Sequence, residues 1–219
     1  MRYKCLILDH DDTVVDSTAT IHYPSFIEFL KIYRPDMVKN YTFESFIRKN
    51  FEPGIVSLFR DEVCLGDEEL KAEELFWLDF AEKIIPDAYD GMREIIADFR
   101  TRGGIIAVSS HSFSKNIIRD YRKNSLPMPD KIYGWELPHG KRKPSTYTVD
   151  DLISVYGFDR SEILMVDDLK PGFDMAHAAG IDFAAAGWAY NVPEVEEFLR
   201  SRSTYYLKSV SELRALLEL

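Results

Sequence analysis

The sequence has few cysteines and no long apolar run. Only two cysteines occur among 219 residues, so neither a disulfide framework nor a thiolate metal site is expected. No stretch reaches the roughly 18 apolar residues that would indicate a membrane span. The N-terminal segment MRYKCLILDHDD places acids where a signal peptide would continue its apolar stretch. We therefore expect a cytoplasmic protein that has no membrane partner.

Positive charge is also scarce. The chain has 27 Lys and Arg against 37 Asp and Glu, a formal net charge of −10. Such a surface repels nucleic acid, so any phosphate binding must use local devices such as a cation, a lysine or a helix N-terminus. The 46% hydrophobic and 29% charged composition is that of a globular protein. The length suits one α/β core with an insertion, and we expect no nucleic-acid partner.

Short apolar runs that end in polar residues alternate with helical patterns. The runs predict buried strands at Cys5–Leu8, Ile105–Val108, Ile163–Val166 and Phe183–Ala186, with an edge strand in TYYLKS. Helices are predicted at Gly91–Thr101, Lys115–Asn124, Thr146–Tyr156, Asp174–Ala179 and Val210–Leu217. This alternation predicts the α/β class, with a Rossmann-like parallel sheet between two layers of helices.

A long helical stretch separates the first strand from the rest of the predicted core. It runs from about Pro24 to Ile85 and is too long for a single crossover. We interpret residues 17–86 as an inserted helical cap, able to act as a lid, and residues 1–16 with 87–219 as the catalytic core. The name helical cap is used below for residues 17–86.

Acids follow two of the predicted strands. Asp9 and Asp11 come after the first strand and point to the same side if the strand continues, since side chains alternate. Asp167 and Asp168 follow a later strand, and ligands of open α/β sheets bind beyond such strand ends. Clustered carboxylates repel one another unless they share a hard dication. Oxygen ligands in this number favour Mg²⁺, so the sequence predicts a magnesium site. The alternative is that the acids are held apart and individually solvated, which depends on the order of the strands.

Serines and a basic loop supply possible phosphate contacts. The strand from Ile105 ends in SSHS, where the Ser109 hydroxyl and backbone N–H groups precede a helix. The alternative for Ser110, Ser112 and Ser114 is a simple helix N-cap. The basic loop HGKRKPSTY offers a cation for phosphate, whereas composition alone favours solvated side chains.

Together these segments resemble the haloacid-dehalogenase-like superfamily, especially its phosphoglycolate-phosphatase-like and β-phosphoglucomutase-like branch. The first motif, Asp-x-Asp-x-Thr after an apolar strand, is met by DHDDT at residues 9–13. The second falls on Ser109 and the third, Lys followed by Pro, on Lys143. The fourth is an acidic pair followed by a helix that ends in Ala-Gly, and VDDLKPGFDMAHAAG matches it. Many relatives have Gly-Asp and a further acid where this chain has Asp-Asp and Gly172.

The resemblance implies a Mg²⁺-dependent phosphatase that acts on a small phosphorylated metabolite. Asp9 is expected to attack the phosphomonoester and form an aspartyl phosphate, while Asp11 acts as general acid and base. The metal would be held by Asp9, Asp168 and the Asp11 backbone carbonyl, with Asp167 behind them. Catalytic Ser109 and Lys143 would bind phosphoryl oxygens, and Ser110 and His111 are expected to contact the substrate.

Several alternatives remain open from sequence. A phosphosugar mutase of the same fold, or a catalytically silent phosphate-binding protein, would carry the same groups. A signalling receiver domain does not fit, because its phosphorylated Asp would follow a middle strand and it has no place for the insertion. Arg48, Lys49 and Arg60 are cap candidates for a second charged group of the substrate, though solvated side chains are the default interpretation. His22, His139 and His177 are expected to be packed or exposed, and the chain to be a monomer or homodimer.

Overall fold

A six-stranded sheet forms the centre of the molecule, for which a computed structural model describes residues 1–219. The strands are β1 (Cys5–Leu8), β2 (Ile105–Ser109), β3 (Lys131–Tyr133), β4 (Ile163–Asp167), β5 (Asp182–Ala186) and β6 (Tyr205–Leu207). Their order in the sheet is β3-β2-β1-β4-β5-β6, and every neighbouring pair is parallel. The predicted Rossmann-like α/β class is therefore confirmed.

The register places the ends of the inner strands side by side. Leu8, the last residue of β1, is the partner of Val108 in β2 and of Val166 in β4. The backbone N–H of Asp9 then donates to the Val166 carbonyl at 2.9 Å. The acids that follow β1 and β4 consequently leave the sheet at the same edge, as predicted.

The chain has ten α-helices, and those outside the helical cap cover both faces of the sheet. In chain order they are α1 (Tyr23–Tyr33), α2 (Phe43–Phe51), α3 (Ile55–Ser57), α4 (Asp67–Lys83), α5 (Met92–Thr101), α6 (Ser114–Lys123), α7 (Tyr147–Tyr156), α8 (Lys170–Ala179), α9 (Pro193–Arg202) and α10 (Val210–Leu216). Leu6 and Leu8 pack with apolar residues of α5, α6 and α10, whereas Cys5 and Ile7 pack with those of α7, α8 and α9. Alternate side chains of β1 thus point to opposite faces of the sheet. Since helices cover both faces, all four residues of the strand are buried.

The segment between β1 and α5 contains helices and no strand. Its own apolar cluster is built around Phe26, Phe29, Phe46 and Leu58. Helix α2 also contacts the sheet-bearing part of the chain, since Phe51 packs edge-on against Phe198 at 5.2 Å between ring centroids. The division of the chain at residues 16/17 and 86/87 stays a prediction.

Three elements differ from the predictions. Strand β3 and helix α9 were not predicted, and α8 begins at Lys170 rather than Asp174. The early start of α8 is possible because its proline is at the second helical position, where no intrahelical N–H bond is lost. No helix is both long enough and apolar enough to span a bilayer.

Candidate active site

The loop after β1 carries the predicted nucleophile and the predicted acid. Asp12 adopts a left-handed conformation with φ of 56°, and its N–H donates to the Val15 carbonyl at 2.7 Å. The Asp12 carboxylate accepts from the backbone N–H groups of Ser17 and Thr18, at 3.2 and 3.0 Å. Asp12 therefore closes the turn and joins it to the first turn of the helical cap, instead of facing the acid cluster.

Three carboxylates, including that of Asp9, lie next to one ammonium group. Oxygens of Asp9, Asp167 and Asp168 lie within 4.8 Å of one another, and all three residues are buried. Lys143 Nζ lies 2.9 Å from Asp9 Oδ1 and 2.5 Å from Asp167 Oδ2. The predicted residues of the first, third and fourth motifs are thus brought together.

The charges of this cluster do not balance. Burial raises the pKa of Asp9, and Asp11 adds to the rise while Lys143 opposes it. Burial and the Asp9 charge raise the pKa of Asp167 to about 7. Burial would lower the pKa of Lys143, but the charges of Asp167 and Asp9 raise it instead. Three carboxylates against one ammonium leave a deficit of two positive charges, the charge of a divalent cation.

The donor set fits magnesium. Mg²⁺ prefers carboxylate oxygens, and the three buried carboxylates each offer one oxygen within 4.8 Å of the others. Asp9 Oδ1 is buried and has the Lys143 ammonium at 2.9 Å as its partner, so an added cation would share this carboxylate with Lys143. Asp168 is positioned by Thr13 Oγ1 at 3.1 Å and by the Tyr190 hydroxyl at 2.8 Å. Tyr190 was not predicted to contribute to the site, because it follows β5, whereas the acids follow β1 and β4.

Asp167 is held in place from behind. Its Oδ1 accepts from the Leu169 backbone N–H at 2.8 Å. Gly172 in helix α8 approaches it so closely that a Cβ at this position would lie 2.1 Å from Asp167 Oδ2. The glycine that replaces the downstream acid of relatives therefore gives room to the first acid of the pair.

Asp11 is surrounded by donors. Ser17 Oγ donates to Oδ1 at 2.8 Å, while Ser112 Oγ and Ser110 Oγ donate to Oδ2 at 2.6 and 3.3 Å. Burial opposes ionisation of Asp11, but the His22 imidazole and these hydroxyls outweigh it and hold the pKa below its usual range. This environment suits a group that accepts a proton from water.

His22 links Asp11 to the helical cap. Trp77 Nε1–H of α4 donates to His22 Nδ1 at 2.9 Å, so the neutral ring carries its proton on Nε2. His22 Nε2 then donates to Asp11 Oδ1 at 3.0 Å. The expectation that His22 is merely packed or exposed was wrong, and no spacing in the sequence signals this contact.

The serines after β2 are divided between two roles. Ser109 is buried, and its hydroxyl lies 3.4 Å from Thr148 Oγ1 rather than on the cavity wall. Ser110 and Ser112 do not act as N-caps, since the N-cap of α6 is Phe113, which makes no side-chain cap. Ser114 also caps nothing and bonds Glu136 instead.

His111 lies beside the basic loop and lines the cavity. Its Nε2 is 3.2 Å from the Lys143 carbonyl. Burial, helped by the charge of Lys143, lowers the pKa of His111 to about 4, so the ring is neutral at physiological pH. The neutral ring has one N–H, which His111 donates from Nε2 to the Lys143 carbonyl, so its Nδ1 is left as an acceptor.

A cavity of about 600 Å³ lies between the acid cluster and the helical cap. Asp9, Asp11, Lys143 and Asp168 form its floor. Of the three basic cap residues considered from sequence, only Arg60 lines it. Arg48 pairs with Glu194 at 3.0 Å and Lys49 with Glu62 at 2.6 Å, away from the floor.

Comparison with known proteins agrees with this arrangement. The family model described as haloacid dehalogenase-like hydrolase matches residues 6–186, which is most of the chain. The chain belongs to the haloacid dehalogenase-like hydrolases. The matched range includes the loop after β1, the basic loop and the acid pair after β4.

Individual relatives are more distant. A phosphoglycolate phosphatase of Mesorhizobium japonicum is 28% identical over 110 residues, covering 50% of this chain and 48% of the relative. The chain thus matches about half the length of this curated relative. A haloacid dehalogenase-like family hydrolase from Streptococcus pneumoniae superposes with a TM-score of 0.75 at 15% identity, covering 99% of both chains. A family hydrolase from Deinococcus radiodurans, solved with bound phosphate and sodium, gives 0.68 at 17% identity over 99% of this chain and 95% of its own.

Proposed function

We propose that this haloacid dehalogenase-like hydrolase is a Mg²⁺-dependent phosphatase that hydrolyses a small phosphomonoester through an aspartyl phosphate on Asp9. The observation that carries the proposal is the position of Asp9. Its buried carboxylate lies on the cavity floor, with Oδ1 2.9 Å from the Lys143 ammonium and with the acid pair beside it. The name of the Mesorhizobium relative points to the same reaction class.

In the first step an Asp9 oxygen attacks phosphorus, and the bond from phosphorus to the leaving oxygen breaks. Asp11 gives a proton to that oxygen, so an alcohol leaves; the negative charge of the bound phosphoryl group raises the pKa of Asp11, which its donors hold low in the free chain. Lys143 neutralises phosphoryl oxygens, because its ammonium already lies within 2.9 Å of the attacking group. Ser110 adds a hydrogen bond from the cavity wall, with Ser109 behind it, while His111 holds the Lys143 backbone and offers Nδ1 to the substrate as an acceptor.

Asp9, Asp168 and the Asp11 carbonyl would hold magnesium, with Asp167 behind them and shared with Lys143. When bound, the ion supplies positive charge that screens the phosphoryl oxygens from the carboxylate nucleophile. This assignment explains why three buried carboxylates are tolerated beside a single ammonium.

In the second step water attacks phosphorus of the aspartyl phosphate, and Asp11 accepts the proton of that water. The bond between Asp9 and phosphorus breaks, and inorganic phosphate leaves. The donors around Asp11 favour its ionised form, which is the form this step requires. The contacts from Trp77 to His22 and from His22 to Asp11 support a role of the helical cap in orienting the proton-transfer group.

Phosphate release from a panel of small phosphomonoesters tests this function. The native chain, Asp9→Asn and Asp16→Asn are compared with and without Mg²⁺. Asp16 is an exposed acid seven residues along the chain whose side chain makes no hydrogen bond or ion pair, so Asp16→Asn is the matched control. We expect magnesium-dependent release that only Asp9→Asn abolishes. Release that persists in Asp9→Asn would contradict the nucleophile, and conversion of a sugar phosphate without release would favour the mutase.

A further inference from the structure

The wall of the cavity opposite the catalytic floor has an unusual charge distribution. Four acids of helix α4 line it, whereas the basic residues that the helical cap adds are His22, Arg60 and Lys71. The acids are Asp67, Glu68, Glu73 and Glu74. Whatever the leaving group of the substrate is, it must lie against this wall, because the floor holds the phosphoryl group. This step rests on the proposed phosphatase function.

All three basic cap residues are already paired. Arg60 lies 3.1 Å from Asp67, Lys71 lies 2.7 Å from Glu68, and His22 lies 3.0 Å from Asp11. Glu74 Oε1 accepts a hydrogen bond from Trp135 Nε1 at 2.8 Å. The cap wall therefore offers no free cation to an anionic leaving group.

Glu73 is the exception among the four acids. It lines the cavity, is partly buried, and makes neither a hydrogen bond nor an ion pair. Burial and the neighbouring charge of Glu74 raise the pKa of Glu73 to about 8, and His22 opposes this rise only in part. A group that brought positive charge to this place would favour the ionised form of Glu73 and pair with it, whereas a second carboxylate would raise its pKa further.

Aromatic rings complete the wall around this carboxyl group. Trp77 follows Glu73 by one helical turn, and Phe26, Phe59 and Trp135 also line the cavity. Aromatic faces attract cations and exclude water. An ion pair that forms in a cavity lined by such rings is therefore stronger than the same pair in water. A volume of about 600 Å³ leaves room for a leaving group larger than two carbons.

We propose that the substrate is a phosphomonoester whose leaving group carries a cationic amine, and that Glu73 is the residue that selects it. The amine donates charge-assisted hydrogen bonds to Glu73 while the phosphoryl group occupies the floor beside Asp9. A leaving group that carries a carboxylate, as in phosphoglycolate, meets an unpaired acid and no free base. Substrate choice in this chain thus differs from that which the name of the Mesorhizobium relative describes.

Three matched series of esters test the assignment: ω-aminoalkyl, ω-hydroxyalkyl and ω-carboxyalkyl phosphates with two to six carbons. The native chain is expected to show kcat/KM in the order amine, hydroxyl, carboxylate, with roughly tenfold or more between amine and hydroxyl at the best length. In Glu73→Gln the advantage of the amine should fall through a higher KM, and the carboxylate series should improve. Asp79→Asn is the control, since Asp79 lies on the same helix but is exposed, pairs with Lys83 and does not line the cavity.

The outcomes separate this inference from the function on which it rests. Hydrolysis of all three series with equal kcat/KM, or with the carboxylate preferred, would overturn the role of Glu73 while leaving the phosphatase intact. An amine preference that Glu73→Gln leaves unchanged would also overturn it. Absence of release from every ester, including the neutral series, would overturn the phosphatase and the amine assignment with it.

Discussion

His22 donates from Nε2 to Asp11 Oδ1 at 3.0 Å, and its other nitrogen is held by Trp77 of the cap helix at 2.9 Å. Asp11, the proposed proton-transfer residue, is thereby tied to the helical cap. Trp77 fixes the His22 tautomer, and His22 in turn holds Asp11 Oδ1. We therefore expect the Trp77–His22 pair to influence proton transfer by Asp11.

Trp77→Phe tests this link, because it keeps a large ring and removes only the N–H donor. Loss of one hydrogen bond, worth about 0.5–1.5 kcal/mol, predicts a roughly 2- to 10-fold decrease in kcat. The decrease should be larger for alkyl phosphates, which need a proton on the leaving oxygen, than for p-nitrophenyl phosphate. Steady-state kinetics of both esters measures the decrease in kcat. His22→Ala, which removes the contact to Asp11, is a second test of the same link, and His139→Ala, at an exposed histidine, is its control. Equal losses for the two esters would remove the link to proton transfer.

Gly172→Ala tests the support of the acid pair. The added methyl group would lie 2.1 Å from Asp167 Oδ2, so Asp167 must move away from Lys143 and Asp9. We expect the Mg²⁺ concentration for half-maximal activity to rise roughly tenfold or more, as for other changes behind a metal ligand. Gly140→Ala is the control, since nothing lies within 4 Å of its added Cβ. An unchanged magnesium titration in Gly172→Ala would show that the position of Asp167 does not matter for the metal.

Lys143→Met tests the charge balance of the cluster. Removing one partner of a buried ion pair leaves an uncompensated charge and costs about 3–5 kcal/mol. Thermal unfolding without Mg²⁺ should show a clear loss of stability, and Mg²⁺ should stabilise Lys143→Met more than the native chain. Lys115→Met removes an exposed pair with Glu82 and should cost less than about 1 kcal/mol. Equal stabilisation of both chains by Mg²⁺ would contradict a metal at this cluster.

His111 predicts a pH dependence of stability. Its pKa is about 4 in the folded chain and about 6.5 when unfolded, so between these values the unfolded chain binds the additional proton. The contribution of the neutral His111 ring to the free energy of unfolding is complete above pH 6.5. It is lost as pH falls toward 4, and the loss by pH 5 is on the order of 2 kcal/mol. Urea unfolding with saturating Mg²⁺ at pH 7 and pH 5 measures it. His111→Asn should lose less stability over this interval than the native chain; an identical loss would contradict the assignment.

Much of the fold could be predicted because its strands are strongly patterned. Four apolar runs gave β1, β2, β4 and β5 within one residue of the observed bounds, since both faces of each strand are buried. Strand β3 has only three residues with mixed exposure, too short for a periodic pattern. Helix α9 begins with Pro193 and is rich in acids, so its sequence shows only a weak apolar stripe.

The candidate site was predictable where motif residues follow strand ends. Asp9, Asp167 and Asp168 come together because β1 and β4 are neighbours, and the loop after β3 brings Lys143 to them. His22 and Glu73 could not be found in this way, because they come from the helical cap, whose position over the sheet no local pattern encodes. Contacts between segments far apart in sequence depend on how those segments pack, and a single sequence contains no direct signal for that packing.

Detection of the covalent intermediate tests the central claim most directly. The native chain and Asp9→Asn are mixed with p-nitrophenyl phosphate and Mg²⁺, quenched in acid within the first turnover, digested and analysed by mass spectrometry. Asp11→Asn is included because it should still form the intermediate with this good leaving group but hydrolyse it slowly. The account predicts one phosphoryl group on the peptide that contains Asp9, accumulated in Asp11→Asn and absent in Asp9→Asn. A phosphoryl group on another residue, or its presence in Asp9→Asn, would contradict the account.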